Sequence, residues 1–293
     1  MILDCKKVAE EKKQWAAKAC ALAKEQGVVP TVAIILVGDD SMSSRYVRGQ
    51  VKDCQEIGVT AKVISLPECV SKAMIIRRIL ALNEDPSVHG ITVQLPLPKP
   101  LNHPISRQEI LDAIAREKDV DGLRGDVLSR LAQGMDTFAP CTTDAILKIL
   151  GVYNIAYVGK QVVVVGRSAG VGLPAALALQ GLDASVSVVH SKTPEDVAKT
   201  LLKMADIVVL ATGRGHGWNE EFFKDGAVII DIGTSLDANG KLIGDFDDSA
   251  IKERGGDGFV KYTPVPGGVG LVTRAFFVAH VVSAAWRQGE IKG

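Results

Sequence analysis

This chain of 293 residues has no charge of dominant sign: Lys plus Arg and Asp plus Glu number 34 each. Nucleic acids and anionic membranes select a basic excess, so neither is expected as a partner. Aromatic residues are scarce, at 5%, while apolar residues reach 47%. That points to a folded chain with an aliphatic core and argues against disorder. The cysteines are few and odd in number: Cys5, Cys20, Cys54, Cys69 and Cys141, with no C-x-x-C pair. This spacing supports neither a disulfide framework nor a structural zinc site, so reduced thiols in a cytoplasmic protein are expected, and no metal. The opening Met-Ile-Leu-Asp-Cys-Lys-Lys turns charged at once, unlike an apolar signal region. No run approaches the roughly 18 apolar residues of a membrane span, so none is expected.

What is present is alternation. Residues 5–26 are rich in Ala, Lys and Glu and stop before Gly27, which reads as a surface helix closed by glycine. Val32–Val37 is a short aliphatic strand stopped by Gly38-Asp39-Asp40. A helix over 43–57 closing at Gly58, a strand over 61–66, a helix over 71–83 and a strand over 90–94 follow. This βαβαβ order favours a mostly parallel sheet. Leu95-Pro-Leu-Pro-Lys-Pro100 then leaves a strand end as an extended loop, because proline lacks a donor and restricts the residue before it. Ligands of open α/β sheets sit beyond strand carboxyl ends, which makes 38–46 and 94–98 candidate walls.

A second strand–helix series contains Val162–Val165, Ser185–Val189, Ile207–Ala211 and Val228–Ile232. Two domains are expected, with 140–160 as the crossover. The last helix, about 272–288, is apolar on most sides and should be buried, packing back on the first domain. The first domain is therefore expected over 1–140, completed by 271–293, and the second over 141–270.

The sharpest local feature is Val162-Val-Val-Val165 running into Gly166-Arg167-Ser168-Ala-Gly170-Val171-Gly172 and an alanine-rich helix. Glycines there let the backbone approach a pyrophosphate lying on free N–H groups of the helix. The spacing is G-x-x-x-G-x-G, so alone it supports a nucleotide or a plain tight turn. An NAD site places a carboxylate at the end of the next strand, about 20 residues on. Here that strand ends in His190-Ser191-Lys192-Thr193, and Arg167, Ser191 and Lys192 suit a 2′-phosphate instead. The reading is NADP in preference to NAD. Asp231-Ile-Gly-Thr234 closes another buried strand, where backbone commonly walls a nicotinamide.

Four more segments stand apart from scaffold: Gly38–Val47 around Tyr46, Val93-Gln94-Leu95-Pro-Leu-Pro98, Lys118-Asp-Val-Asp121-Gly122 and Thr263-Pro264-Val-Pro-Gly267-Gly268-Val-Gly270. With the Gly166-Arg-Ser168 turn they closely resemble, end to end, the methylenetetrahydrofolate dehydrogenase/cyclohydrolase family. The resemblance implies an α/β fold: an N-terminal three-layer folate-binding domain, a Rossmann-like NAD(P)-binding domain, and a cleft between them. It implies a tetrahydrofolate substrate and a homodimer. By the same resemblance Tyr46 stacks on the folate, Gln94 flanks the catalytic centre, and Asp121 binds the pterin. Val93 and Leu95 line the substrate site, and Pro264–Gly268 close over it. Gly166, Arg167, Ser168, Val171, Gly172, Ser191, Lys192 and Thr234 fall to the cofactor. Without the resemblance, Asp121 reads as a turn residue and Tyr46 as a half-buried core aromatic.

The chain departs from the family at one chemically important place. The family has Y-x-x-x-K, whereas this sequence has Tyr46-Val-Arg-Gly-Gln50. Lys52 lies roughly 200° further around a helix and is no substitute. The lysine serves the hydrolytic step, where an amine of tuned pKa moves protons; a neutral amide cannot. Hydride removal needs orientation and exclusion of water, not a side-chain base. The expectation is dehydrogenase activity retained and cyclohydrolase activity weak or absent. The full bifunctional enzyme and a catalytically idle nucleotide-binding relative are the alternatives.

Overall fold

A computed structural model describes residues 1–255 and 259–289. Residues 256–258 of the expected second domain and 290–293 of the expected terminal segment lie outside the described residues. In chain order the helices are α1 (Cys5–Glu25), α2 (Ser41–Ile57), α3 (Lys72–Asn83), α4 (Pro104–Asp112), α5 (Gly125–Ala132), α6 (Cys141–Val152), α7 (Gly172–Gly181), α8 (Glu195–Met204), α9 (Ser249–Glu253) and α10 (Val269–Gln288). The strands are β1 (Thr31–Val37), β2 (Thr60–Leu66), β3 (Gly90–Val93), β4 (Gln161–Val165), β5 (Ser185–Val189), β6 (Ile207–Leu210), β7 (Trp218–Asn219), β8 (Val228–Asp231), β9 (Ser235–Leu236), β10 (Leu242–Ile243), β11 (Phe246–Asp247) and β12 (Lys261–Tyr262).

Two compact α/β units divide the chain. The three-stranded unit comprises Glu10–Val127, Thr137–Cys141 and the chain from Arg274 on. Its sheet is parallel, in the order β2-β1-β3. The run Thr31–Val37 is buried at every residue because β1 is the middle strand, covered on both faces. β2 is an edge and stays largely open. Ile35, Ile75, Ile79, Ile91, Ile110 and Ile114 centre an aliphatic core, as the low aromatic content required. α2 starts at Asp40, whose carboxylate accepts the Ser43 N–H at 2.7 Å, and stops at Gly58.

The five-stranded unit comprises Met1–Ala9, Leu128–Asp136 and Thr142–Thr273. Its main sheet runs β12-β8-β6-β4-β5, parallel throughout. Against the boundaries expected from sequence, the first nine residues join this unit. They do so through backbone: the Leu3 N–H donates to the Tyr262 carbonyl at 2.8 Å, and the Met1 ammonium to the Val260 carbonyl at 2.8 Å. The stretch read as a crossover forms helix α6. Helices α4, α5 and α8 and strand β12 were not anticipated from periodicity. They are short, and α4 in particular has little amphipathic contrast for periodicity to register.

α10 carries a qualification to the expectation about membranes. It is long and apolar enough to cross a bilayer, yet 72% of its most apolar window is buried inside the protein. Val272, Phe277, Val278, Val281 and Val282 are all sealed, which marks it as a core helix.

Candidate active site

The three-stranded unit gathers side chains. Lys118-Asp-Val-Asp-Gly122 begins with structural work. Lys118 is buried, and its Nζ donates to the carbonyls of Leu82, Asn83 and Asp85 at 3.1, 2.7 and 2.9 Å, closing the end of α3. Asp119 accepts the N–H groups of Gly122 and Arg124, and burial pushes its carboxyl up to about 6. Val120 is core. These ties fix Asp121, whose Oδ2 accepts the Thr92 hydroxyl at 2.9 Å. Thr92 stands on β3, so the strand end places the carboxylate. Desolvation raises the Asp121 pKa, while hydrogen bonds from Thr92 and Cys141 and the nearby His280 pull against it. Behind it, His280 Nδ1 lies 2.9 Å from the Val120 carbonyl and 3.5 Å from Cys141 Sγ.

Tyr46 belongs to the same cluster. The residue keeps 36% of its surface open, while burial around its hydroxyl pushes its pKa up. Asp121, Cys141 and Asp53 add to that rise, and Arg274 opposes it. Charged and polar groups from three other chain segments, at Asp121, Cys141 and Arg274, thus act on one phenol of α2. Gln50, one turn on from Tyr46, is 2% exposed, and its Oε1 has no hydrogen-bond partner among the described residues. Gln94 follows β3; its side-chain amide donates to the Leu95 carbonyl at 2.6 Å, at the head of the proline loop, which has cis Leu95–Pro96 and Lys99–Pro100 peptides. Val93 is buried and Leu95 half-buried.

The five-stranded unit offers mainly backbone. Gly166 lies at φ +124°, and a Cβ there would collide with the Ala211 carbonyl. A Cβ on Gly172 would collide with the Gly166 carbonyl, so β4, the turn and α7 close up only on glycine. The residue before α7, Val171, gives no side-chain cap, but Ser168 closes the helix start, its Oγ accepting the Gly172 N–H at 3.4 Å and its carbonyl the Leu173 N–H at 3.1 Å. Beside this turn opens a cavity of about 590 Å³. Gly166, Arg167 and Ser191 line it, together with Lys199, Thr212 and Arg214, and Trp218 and Phe222 form an aromatic wall.

The residues expected at the cofactor are therefore not all on one wall. Ser168 stands in the turn, its Oγ 3.4 Å from the Gly172 nitrogen. Lys192 is not a lining residue; its backbone N–H donates to His190 Nδ1 at 3.2 Å, and the side chain is exposed. Thr234 is also outside the lining, with its carbonyl facing Gly213. Trp218, Phe222, Lys199 and Arg214 had no signal in the sequence, being separated by loops from the glycine turn. Asp231 carries a role that sequence did not assign. Its buried carboxylate accepts the N–H groups of Gly233, Asp245 and Phe246, and burial plus the charge of Asp245 pushes it up to about 7. A second cavity includes Pro264 and Pro266 of the glycine-rich loop. Gly267 in that loop has φ +93°, and the preceding Val265–Pro266 bond is cis. A Cβ on Gly268 would collide with the Pro264 carbonyl, so the loop also closes on glycine. Among the described residues, no group of three or more His, Cys, Asp or Glu could hold a metal ion.

Comparison with known proteins gives one answer along the chain. Residues 3–121 match the tetrahydrofolate dehydrogenase/cyclohydrolase catalytic domain, and residues 140–289 match the NAD(P)-binding domain of the same family. A relative from Listeria innocua, called bifunctional protein FolD, is 41% identical over 286 residues, covering 98% of this chain and 97% of its own. The crystal structure of the bifunctional FolD methylenetetrahydrofolate dehydrogenase/cyclohydrolase from Campylobacter jejuni superposes with a TM-score of 0.91 at 33% identity, covering 98% and 99% of the two chains. A Trypanosoma brucei dehydrogenase–cyclohydrolase, solved with NADP and an inhibitor, gives 0.89 at 32% identity, covering 98% and 97%.

Proposed function

The chain belongs to the tetrahydrofolate dehydrogenase/cyclohydrolase family, and from that premise we propose that it is an NADP-dependent methylenetetrahydrofolate dehydrogenase in which the hydrolytic step is weak or absent. The observation that carries this reading is the neutral, buried Gln50 one turn on from Tyr46, in the unit whose β3 end fixes the Asp121 carboxylate through Thr92.

The folate lies on the three-stranded unit. Tyr46 stacks on it, with 36% of its surface open to meet a ring. Asp121 accepts N–H bonds from the pterin; a carboxylate can take two at once. Its raised pKa means that this acceptor is weakened by acid. Val93 and Leu95 supply apolar contact, and Gln94 holds the loop end.

The dinucleotide lies on the five-stranded unit, and the site fits it. The glycine turn packs β4 against α7 with no space for a Cβ at Gly166 or Gly172, and Arg167 and Ser191 supply a cation and a hydroxyl to the cavity beside it. The backbone of the turn from Gly166 to Gly172 would hold the pyrophosphate, Arg167 and Ser191 would take the 2′-phosphate, and Trp218 and Phe222 wall the cavity. Lys192 and Thr234 stay at the margin. NADP, when bound, accepts the hydride.

Hydride loss from the methylene carbon is driven by an adjacent nitrogen lone pair, so the protein orients and excludes water without a general base. Hydrolysis of the methenyl product needs a group that moves protons, and Gln50 cannot. We place the enzyme as a homodimer in the cytoplasm. The exposed edge strand β2, with Val63 open, is a candidate pairing surface, and five free cysteines suit a reducing compartment.

A side-by-side assay with both cofactors tests the reading. Methylenetetrahydrofolate oxidation with NADP should be robust, and methenyltetrahydrofolate, followed in the near ultraviolet, should decay at the buffer rate. Enzyme-accelerated decay would establish the bifunctional alternative. Cofactor binding without turnover would establish an idle relative.

A further inference from the structure

The chain from β6 into β7 supplies Thr212, Arg214, Gly217 and Trp218 to the cavity beside the glycine turn. Its internal bonds are few. The Arg214 N–H donates to the Thr212 hydroxyl at 3.3 Å and the Gly217 N–H to the Arg214 carbonyl at 2.9 Å, while His216 takes a left-handed φ of +54°. The hold comes from Gly244 and Asp245. At one end the His216 N–H donates to the Gly244 carbonyl at 2.8 Å and the Trp218 N–H to the Asp245 carbonyl at 3.1 Å. At the other end the Asp245 side chain takes over. Its Oδ2 accepts the Thr212 N–H at 2.7 Å, the Thr212 hydroxyl at 2.7 Å and the Gly213 N–H at 3.2 Å. The N–H groups of Asp245 and Phe246 in turn donate to Asp231, at 3.2 and 2.9 Å, which ties the segment to the end of β8. Asp245 is fully buried, and its Oδ1 has no hydrogen-bond partner among the described residues. The carboxyl abuts Gly233, where any Cβ would collide with it. A buried oxygen left unpaired is costly, and hydride removal has no task for this residue.

We propose that Asp245 is a positioning residue for the adenosine end of the dinucleotide: it fixes the 212–218 loop as one wall of the cavity and so presents Arg214 to the nucleotide's phosphates. The inference rests on the dinucleotide reading and deepens it. The cavity lining carries Arg167, Lys199 and Arg214 against one carboxylate, Glu195, which pairs with Lys199 at 2.7 Å. The two guanidiniums have no ion-pair partner among the described residues and suit an anionic ligand. Arg167 sits on the turn that glycine fixes, whereas Arg214 sits on an exposed loop. A ligand that had to order that loop would lose affinity in doing so, and a loop already held spares it that cost. Without the Asp245 side chain, the Trp218 end stays tied through backbone bonds, so the loss of order falls on Thr212, Gly213 and Arg214. An amide oxygen can accept the same three donors, so asparagine should serve in place of aspartate.

The test titrates 2′,5′-adenosine diphosphate, the adenosine end of NADP alone, onto wild type, Asp245→Ala and Asp245→Asn by calorimetry, with folate KM measured on the same preparations. Asp245→Ala should weaken the probe roughly 10- to 100-fold and leave folate KM within about threefold, and Asp245→Asn should bind the probe within about threefold of wild type. Undiminished binding by Asp245→Ala would overturn the proposal. So would an equal rise in its folate KM, which would mark a general structural role, and so would a loss in Asp245→Asn as large as in Asp245→Ala. If Asp245→Ala does not fold, Gly233→Ala displaces the carboxyl instead and must weaken the probe about tenfold; the probe lacks a nicotinamide, so a clash with that ring cannot imitate the effect. Undiminished binding there sinks the proposal. A wild type that does not bind the probe at all would instead fell the dinucleotide reading beneath it.

Discussion

Two strand–turn–helix junctions, β1 to α2 and β4 to α7, use the same fold element in opposite ways. Both leave the carboxyl end of a buried parallel strand through a glycine, Gly38 or Gly166. At β1 the helix end is closed: Asp40 accepts the Ser43 N–H, and hydrogen bonds hold its carboxyl below the usual range. α2 therefore has little to offer an anion from its backbone. It presents side chains instead, with Tyr46 in its second turn, then Gln50 and Asp53. At β4 the residue before the helix, Val171, gives no side-chain cap, Ser168 of the turn takes the Gly172 and Leu173 N–H groups, and α7 is mostly alanine, leucine and glycine. This junction presents the backbone of its glycine turn. A flat, weakly charged ring system calls for placed side chains, whereas a pyrophosphate calls for N–H groups and a helix dipole. The two junctions teach that one architecture can hold both reactants of a hydride transfer by spending different chemical resources at each.

The comparison can be broken most forcefully at Gly172. Gly172→Ala drives a Cβ into the Gly166 carbonyl. The expected result is a rise in NADP KM of about a hundredfold or more, with folate affinity within severalfold. Equal loss of folate binding would show that the junctions are not separate in function. Asp121→Ala is the mirror test. Losing a hydrogen bond to a charged group costs about 1.5–3 kcal/mol, or roughly 10- to 100-fold in folate affinity, and cofactor binding should barely move. Matching losses in both ligands would contradict the role given to this carboxylate.

A gentler probe is pH. The folded-state pKa of Asp121 is raised, chiefly by burial. Its carboxylate form accepts N–H bonds, so folate KM should rise as pH falls through that raised pKa and level off above it. NADP KM, resting on backbone and Arg167, should stay nearly flat over the same range. A folate KM indifferent to acid would remove Asp121 from pterin recognition. The smallest expected effect is at the closed helix end. Asp40→Ala removes the α2 cap, which should lower Tm by a few degrees while leaving both KM values unchanged. A change in NADP affinity there would mean that the α2 end is not the inert one.

The two junctions were not equally legible. The β4 turn announces itself because backbone crowding dictates residue type: only glycine fits at Gly166 and Gly172. Strand β1 was legible because a fully buried strand must be an unbroken aliphatic run. Asp121 and Tyr46 were not, except by family resemblance, since nothing in an aspartate's neighbours reveals that a threonine on β3 and a cysteine on α6 will converge on it. Arg167 and Ser191, both expected at the cofactor, line one cavity, whereas Lys192 is exposed and outside that lining. Adjacent residues at a strand end point in different directions, and sequence does not say which.

The sequence alone determined the α/β class, the alternation of strands and helices, the glycine cradle and the neutral amide at position 50. Each follows from local rules, namely periodicity, steric room and side-chain chemistry. Only tertiary structure decided that Met1–Ala9 would pair into the five-stranded unit, that Trp218 would wall the cavity beside the glycine turn, and that Asp53 would pair with Arg274 beside Gly49. These contacts join residues far apart in the chain, and their partners are chosen by how helices and strands pack. A local pattern carries no record of that choice.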